Sequence, residues 1–579
     1  MKLKKILMAL SLVTATSIAL SGCGNSANDA SDSSESAEKN DLSDSSIVTY
    51  DAKDLASNPS TATNRKDTLI IGQSAPEGKF NPCFMETAYD FSIAGAMHDS
   101  LFSNKADGTL EENLLDEYKI SEDGLTYTFK LKKDLKWSDN TPLTTKDIEM
   151  FFKVVCDQSY DGVSDYVTGK AKIVGAKEYQ EGKADKITGL NIVDDQTIEI
   201  KLLEASSSAL YELAIAPVPA HYYGQYYKQG DESELKKHIS TSPEMPVCGQ
   251  YKLVSYEEGV ETKLVANENH AAGVAKIKNL IFKVDTTENQ IPLLQSGEID
   301  FDANIDANPD NVALLEETGF LGYEYYPTNG YGYIGFNHKN PALKDKAVRQ
   351  ALATGLNRAK ITNTVFDKYG KVINVPQSQV SWAYAEGKNS YDYDLEKAKQ
   401  MLDDAGWKVG ADGIREKDGQ KLKFMFTGAQ DSSVTNPLIA VADNDWKELG
   451  VDFQTEIVDF NTLKQKQNKG DFDAFFMAWG LTADPNDQNI YASNGSQNRV
   501  NYSNPKVDEL YNKISKEMDQ EKLKELYKEL YTELNEDLPC IFVYQRSDLI
   551  GYNGRVKGVV ASPYQNYYDN IYKMTLEDK

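Results

Sequence analysis

Ile120-Ser121-Glu122-Asp123-Gly124-Leu125-Thr126-Tyr127-Thr128-Phe129-Lys130-Leu131 is the most legible run in the chain. Asp123-Gly124 is a turn pair, and from Leu125 onward large apolar side chains alternate with Thr and Lys, the period of a strand with one buried face. Toward the C-terminus, Trp137-Ser138-Asp139-Asn140 is a second turn, and Thr141-Pro142-Leu143-Thr144-Thr145-Lys146-Asp147 sets hydroxyls and acids ahead of Ile148, Phe151, Phe152 and Val155. Capping residues followed by apolar residues one helical turn apart predict a helix that starts there. Toward the N-terminus, Thr68-Leu69-Ile70-Ile71-Gly72 is a short buried strand. Further helices are predicted over Asp345 to Leu356, over Asp394 to Ala405 with Gly406 closing it, and over the long charged amphipathic region Val507 to Asn535. Strands and helices interleave without an internal repeat, so the chain is α/β or α+β.

The chain has 579 residues, long enough that one core stops growing and at least two lobes with a cleft are expected. With 62 Lys and Arg against 89 Asp and Glu, the net charge of −27 argues against sequence-independent binding to nucleic acid and against docking on anionic lipid, both of which need cationic side chains. Five Cys and five His show no zinc-ligand spacing. Cys83, Cys156, Cys248 and Cys540 stand apart in sequence and read as buried free thiols.

Lys2, Lys4 and Lys5 precede an apolar run from Ile6 to Leu20 that is shorter than the ~20 residues of a membrane-spanning helix, which reads as an export signal over 1–22. Leu20-Ser21-Gly22-Cys23 resembles a bacterial lipobox, with Cys23 as the lipid attachment residue. Residues 23–64, rich in Ser, Asn, Asp and Glu, are expected to form a disordered tether spanning roughly 35 Å.

Several tempting motifs dissolve on inspection. Gly330-Tyr331-Gly332-Tyr333-Ile334-Gly335 spells a dinucleotide fingerprint, but it sits inside a Tyr, Ile and Phe strand instead of between a strand and a helix. Asp302-Ala303-Asn304-Ile305-Asp306 begins like a calcium loop, yet Ala307 and Ala313 stand where Gly and Glu belong. There is no GxSxG elbow and no Walker lysine. No metal and no cofactor is expected. The aromatic surplus, 34 Tyr and 5 Trp with clusters at Tyr323–Tyr333, around Trp479 and at Tyr564–Tyr568, suits recognition of variable ligands.

Taken together and in order, several segments from about Lys66 to Glu577 resemble the extracytoplasmic solute-binding proteins of peptide/nickel ABC importers, family 5, in their lipoprotein form. They are Phe80-Asn81-Pro82; Leu101-Phe102 with Asp107-Gly108; the run quoted at the outset with Lys136-Trp137-Ser138-Asp139; Gly249-Gln250-Tyr251-Lys252-Leu253; Leu294 to Asp300; Ile334-Gly335-Phe336-Asn337; Val348-Arg349-Gln350-Ala351-Leu352; Ala398 to Trp407; and Asn501-Tyr502-Ser503-Asn504-Pro505. The resemblance implies an α/β, two-lobed periplasmic-binding-protein-like fold of the large class. Its first lobe would comprise 65–108, 226–335 and 542–579 with a subdomain inserted over 109–225, and its second lobe 336–541. Crossings between lobes would fall near Tyr331–Asn337 and Ile541–Gln545.

In the family's peptide binders an Asp shortly after a Trp pairs with the ligand's α-amino group. The matching stretch, Ala478 to Asp487, offers Trp479 and Asp484, although here the Asp directly precedes Pro485 and lies farther from the Trp. Phe80, Asn81 and Met85 from the first lobe, with Tyr331, Trp382 and Tyr544, complete the expected ligand contacts. The resemblance therefore implies a monomeric, non-enzymatic binding component, lipid-anchored on the outer face of the cell membrane, that closes on an oligopeptide and hands it to an ABC permease. The alternatives are the same fold binding an oligosaccharide or another small solute, and a secreted hydrolase of peptides or glycans.

Overall fold

The computed structural model describes residues 47–169, 171–430 and 432–577, so the export signal and Cys23 lie outside the described residues. A thirteen-stranded mixed sheet runs through the molecule. Along it lie, in spatial order, Asp452–Val458, Lys423–Ala429, Ala474–Gly480, Gly330–Phe336, Cys540–Asn553, Phe301–Asp306, Thr68–Gln73, Asn279–Val284, Glu261–Ala266 and Tyr251–Glu257. The fourteen-residue strand Cys540–Asn553 joins the two halves: Cys540 to Tyr544 pair with Gly330–Phe336, while Asp548 to Tyr552 pair with Phe301–Asp306 and, on the other edge, with Leu321–Pro327. One large core is built on the first half and a second, from Tyr331 to Tyr544, on the other. The chain is thus α/β, and the second core gathers around the sheet end that the first lacks.

The opening run folds as read. Thr126–Leu131 buries Tyr127, Phe129 and Leu131 on one face, and it pairs with Leu115–Ile120 and Thr197–Lys201 in a separate four-stranded antiparallel sheet. Helix Thr145–Val155 covers it with Ile148, Phe151, Phe152 and Val155 buried. Asp147 locks the start of that helix, its carboxylate accepting the N–H groups of Thr144 (2.7 Å), Ala220 (2.8 Å) and the Trp137 indole (3.3 Å).

The nucleotide-like glycines lie in strand Gly330–Phe336, where a Cβ on Gly332 would enter the Tyr544 ring and one on Gly335 the Phe475 ring. They are there so that aromatic rings can lie against the backbone. The calcium-like run is likewise strand, Phe301–Asp306, with Asp302 turned inward beside Asp285. Cys83, Cys156, Cys248 and Cys540 are buried free thiols.

Two expectations differ from the structure. Residues 48–64, expected to belong to a disordered tether, hold ordered chain: Val48–Tyr50 pairs antiparallel with Leu321–Pro327, Tyr50 stacks on Tyr323 at 4.5 Å, and Ala62 is buried. The order comes from partners about 270 residues away, which composition does not reveal. The single amphipathic region predicted over Val507 to Asn535 is two helices, Pro505–Ile514 and Gln520–Asp537, because Asp519 caps the Lys522 N–H and starts a new helix.

Candidate functional site

A chamber of about 530 Å³ opens between the two halves. Three walls meet there. Pro82 and Met85 come from the loop after strand Thr68–Gln73, His98 and Asp99 from the end of helix Ala88–Met97, and Asp484 from the segment following strand Ala474–Gly480. Asp484 also lines an adjoining cavity of about 190 Å³ together with Tyr211 and Trp382. Phe91, Asn566 and Tyr568 are shared with a further cavity of about 320 Å³, and that one shares Tyr89, Ala303 and Asn304 with a polar cavity of about 470 Å³ ending at Arg546. Shared wall residues set these spaces side by side.

The loop carrying Asp484 is shaped by its own hydrogen bonds. Asp484 Oδ1 accepts the Asn486 N–H at 3.1 Å, and the Asp484 carbonyl accepts the Thr482 hydroxyl at 3.0 Å. Across the cleft, Asn486 Nδ2 donates to Ser208 Oγ (3.0 Å), Trp382 Nε1 donates to Tyr211 Oη (3.1 Å), and the Ser207 N–H donates to the Ser515 carbonyl (3.0 Å). These bonds join side chains and backbone of the first half to the second, so they exist only with the halves together.

Of the residues singled out from sequence, Met85 and Asp484 are brought to the chamber walls and Trp382 to the adjoining cavity. Phe80 and Asn81 are buried beneath them: Phe80 packs edge-on to Tyr256 at 5.1 Å, and Asn81 Oδ1 accepts the N–H groups of Cys83 (3.2 Å) and Phe84 (3.0 Å). Their place is under the loop that presents Pro82 and Met85. Tyr331 is buried with its hydroxyl 2.7 Å from that of Tyr491, and Tyr544 packs on Phe366 at 4.6 Å. Trp479 is half-buried and stacks on Tyr333. Sequence reasoning passed over His98, Asp99, Tyr211 and Asp569, all chamber residues without a local motif. Tyr568, also on the chamber wall, belonged to the aromatic cluster Tyr564–Tyr568.

Burial governs the electrostatics. It pushes His98 down to about 4, leaving a neutral imidazole whose Nε2 lies 3.2 Å from the Phe80 carbonyl, and it pushes Asp569 up to about 7. Burial works against protonation of His270, but the Asp99 carboxylate 3.1 Å from its Nε2 outweighs this and holds its pKa above the ordinary value. Among the described residues, no group of three or more His, Cys, Asp or Glu side chains is placed to hold a metal ion.

Below the Met85 loop lies Glu232, a fully enclosed carboxyl whose oxygens have no hydrogen-bond partner, with Lys236 Nζ 3.8 Å away and over the Phe84 ring. Burial, reinforced by Asp157, pushes its pKa up to about 8 from an ordinary 4.5. The folded protein holds this proton more tightly than the unfolded chain. The associated stability is therefore complete below about pH 4.5, falls as pH rises, and is gone above about pH 8. Glu232→Gln is expected to match the parent near pH 5 and to exceed it by about 2 kcal/mol at pH 9, since water penetration and relaxation soften the full shift. Melting temperatures across that range check this; parallel profiles for the two proteins would show that Glu232 keeps no unusual proton.

A sequence model of the bacterial extracellular solute-binding proteins, family 5 Middle, matches residues 109–501. The oligopeptide-binding protein AppA of Bacillus subtilis (strain 168) is 28% identical over 585 residues, covering 99% of each chain. Among solved structures, Bacillus subtilis AppA in complex with a nonapeptide superposes with a TM-score of 0.67 at 27% identity, covering 88% of this chain and 99% of that one. The ABC transporter substrate binding protein CtaP of Listeria monocytogenes superposes with a TM-score of 0.74 at 23% identity, with 88% and 99% covered.

Proposed function

Since the chain belongs to the bacterial extracellular solute-binding proteins of family 5, we propose that it captures oligopeptides outside the cell by closure of its two halves and delivers them to an ABC permease. The observation that carries this reading is the row of adjoining cavities that includes the chamber walled by both halves, with Asp484 on its wall. A peptide main chain laid along it would be held by backbone and side-chain hydrogen bonds regardless of sequence, with water filling what the side chains leave. Asp484 would take the α-ammonium group in a charge-assisted bond, stronger in a partly dry cleft than a neutral one. Ligand touching both halves favours the closed arrangement by its differential affinity for it, and the Asn486–Ser208 and Trp382–Tyr211 bonds are what closure adds. The reading includes no turnover and no cofactor. Cys23, outside the described residues, would carry the lipid that keeps the protein at the outer face of the membrane.

The test is a thermal-shift titration of the protein from Gly24 onward against a mixed-length peptide pool and, in parallel, an oligosaccharide pool. A ligand that binds only the folded state at a hundredfold excess over Kd adds about 2.7 kcal/mol of stability. A shift with peptides and none with sugars is expected, without loss of peptide over time. A shift with sugars alone overturns the solute, and consumption of the peptides overturns the binding role in favour of a hydrolase. Asp484→Asn is expected to weaken free-amine peptides by at least about tenfold while leaving N-acetylated ones unchanged.

A further inference from the structure

We propose that Asp285 and Asp302 share a single proton, in an acid–carboxylate hydrogen bond that fastens the sheet of the first half behind the row of cavities and comes undone in alkali. Asp302 is the first acid of the calcium-like run, and the ligand reading gives it no role. It is fully enclosed, and Asp285 is 6% exposed. Each carries an Oδ2 that no hydrogen-bond donor of the protein reaches.

The two acids come from strands that are not neighbours. Asp285 follows Asn279–Val284, Asp302 lies in Phe301–Asp306, and both strands pair with Thr68–Gln73, one on each edge. Strands two apart in a sheet are separated by about 9.5 Å, so their side chains meet only over a middle residue that leaves the space. Gly72 is that residue. A Cβ on it would stand 2.2 Å from Asp285 Oδ2 and 2.9 Å from Asp302 Oδ2, so both carboxyl groups crowd one point above the glycine.

Two adjacent carboxylates without a cation between them do not both ionise at neutral pH, because their repulsion adds to the cost of burying each charge. The surroundings offer no relief. Lys283, two residues before Asp285, pairs with Glu298 at 2.7 Å, and Arg65 and Arg555 lie 2.9 Å and 3.6 Å from Asp300. From segment Tyr567–Lys573 the pair meets Tyr567, a phenol that burial keeps neutral, and strand Cys540–Asn553 opposes Asp302 with Gly551. What remains is a proton, donated by one carboxyl to the other in a short charge-assisted bond. Burial pushes the pKa of both acids up, and the hydrogen bond and charge of Asp285 push Asp302 further. Asp302 Oδ1 meanwhile accepts the Asn304 N–H at 2.7 Å, and Asn304 lines the cavities of about 320 and 470 Å³, so the pair is tied to their shared wall.

The folded chain keeps a proton that the unfolded chain gives up near pH 3.8; this stability is complete below that pH and is lost as pH rises through the raised range of the pair. Urea unfolding of the parent, Asp302→Asn, Asp285→Asn and the double variant at pH 5, 7 and 9 tests it. Asp302→Asn keeps an oxygen for the Asn304 N–H and sets a permanent donor toward Asp285, and Asp285→Asn does the converse. Between pH 5 and pH 9 the folding constant of the parent is expected to fall on the order of a hundredfold further than that of either single variant, the contribution of Glu232 being common to all and cancelling. Each single variant is expected to remove the whole excess and the double variant no more, because one proton is lost once. Single variants whose profiles run parallel to the parent's overturn the inference. So do single variants that each remove a part, with the double variant removing the sum, since the acids would then hold separate protons. Failure of either amide variant to fold at pH 5 overturns it as well, because the amide supplies the donor that the shared proton supplies there. None of these outcomes bears on the peptide-binding reading.

Discussion

Arg358→Met is expected to cost about 4 kcal/mol of stability, the largest effect of any single side chain considered. Arg358 stands at the start of helix Arg358–Phe366 and is 4% exposed. Its Nη1 donates to the carbonyls of Ile373 (2.9 Å) and Phe542 (2.7 Å), and its Nη2 to Asn374 Oδ1 (3.0 Å) and the carbonyls of Ser390 (2.7 Å) and Tyr391 (3.0 Å). One planar group thereby ties a helix, two irregular segments and the strand that joins the halves. Burial lowers its pKa only to about 10, so the charge persists at neutral pH and is solvated by carbonyl oxygens in place of water.

Methionine fills much of the volume but donates nothing. Four backbone carbonyls and one amide oxygen lose a charged donor, each such bond being worth about 1.5–3 kcal/mol, and the desolvation cost of the guanidinium is recovered in part. Arg358→Lys keeps the charge but offers one point where five bonds were made, so about half the loss is expected. Denaturant unfolding of the parent and both variants checks the order Arg, Lys, Met. A loss under about 1 kcal/mol for methionine would mean that those carbonyls find other donors and that the residue is no staple.

The parts of the fold that sequence disclosed are those whose causes lie within a dozen residues. Thr144 and Asp147 at a helix start, Asp394 at one end of Leu395–Asp404 and Gly406 past the other, and Asp345 before Lys346–Thr354 are all local signals, and each element begins within a residue or two of where it was placed. Val48–Tyr50 was invisible because a three-residue strand is decided by the edge it meets, here Leu321–Pro327. The site divides in the same way. The resemblance brought Met85, Trp382 and Asp484 into view, and the structure places Met85 and Asp484 on the chamber wall and Trp382 on the adjoining cavity, whereas Phe80, Asn81, Tyr331 and Tyr544 are packed in the core behind them. Nothing in the sequence separates an aromatic residue that faces a cavity from one that props up the wall. His98 and Asp99 end a helix with a weakly patterned apolar face, and Asp569 is one acid among 89; only the tertiary fold makes them neighbours.

Gly249→Ala carries the second large effect, about 3–4 kcal/mol, and it also reaches the site. Gly249 is not in a left-handed conformation, so its requirement is purely one of space. A Cβ there would stand 2.5 Å from the Met97 carbonyl carbon, 2.6 Å from the His98 nitrogen and 2.7 Å from the Met97 oxygen. All three are backbone atoms at the end of helix Ala88–Met97 and cannot rotate away. The position cannot simply open either, because the Gly249 N–H donates to Met97 O at 2.8 Å and the Gly249 carbonyl accepts from Asn267 Nδ2 at 2.8 Å. Relief requires the helix end to move by about 1 Å, which carries His98 and Asp99 with it and shifts a wall of the chamber. Peptide affinity should therefore fall along with the melting temperature. Gly480→Ala is the matched control, at a strand end near Trp479 where an added Cβ meets no atom within 4 Å, and it is expected to lie within about 0.5 kcal/mol of the parent. If both alanine variants melt like the parent, the helix end yields freely to a methyl group; if Gly249→Ala loses stability yet binds peptide with undiminished affinity, the His98–Asp99 wall does not set the fit of the ligand.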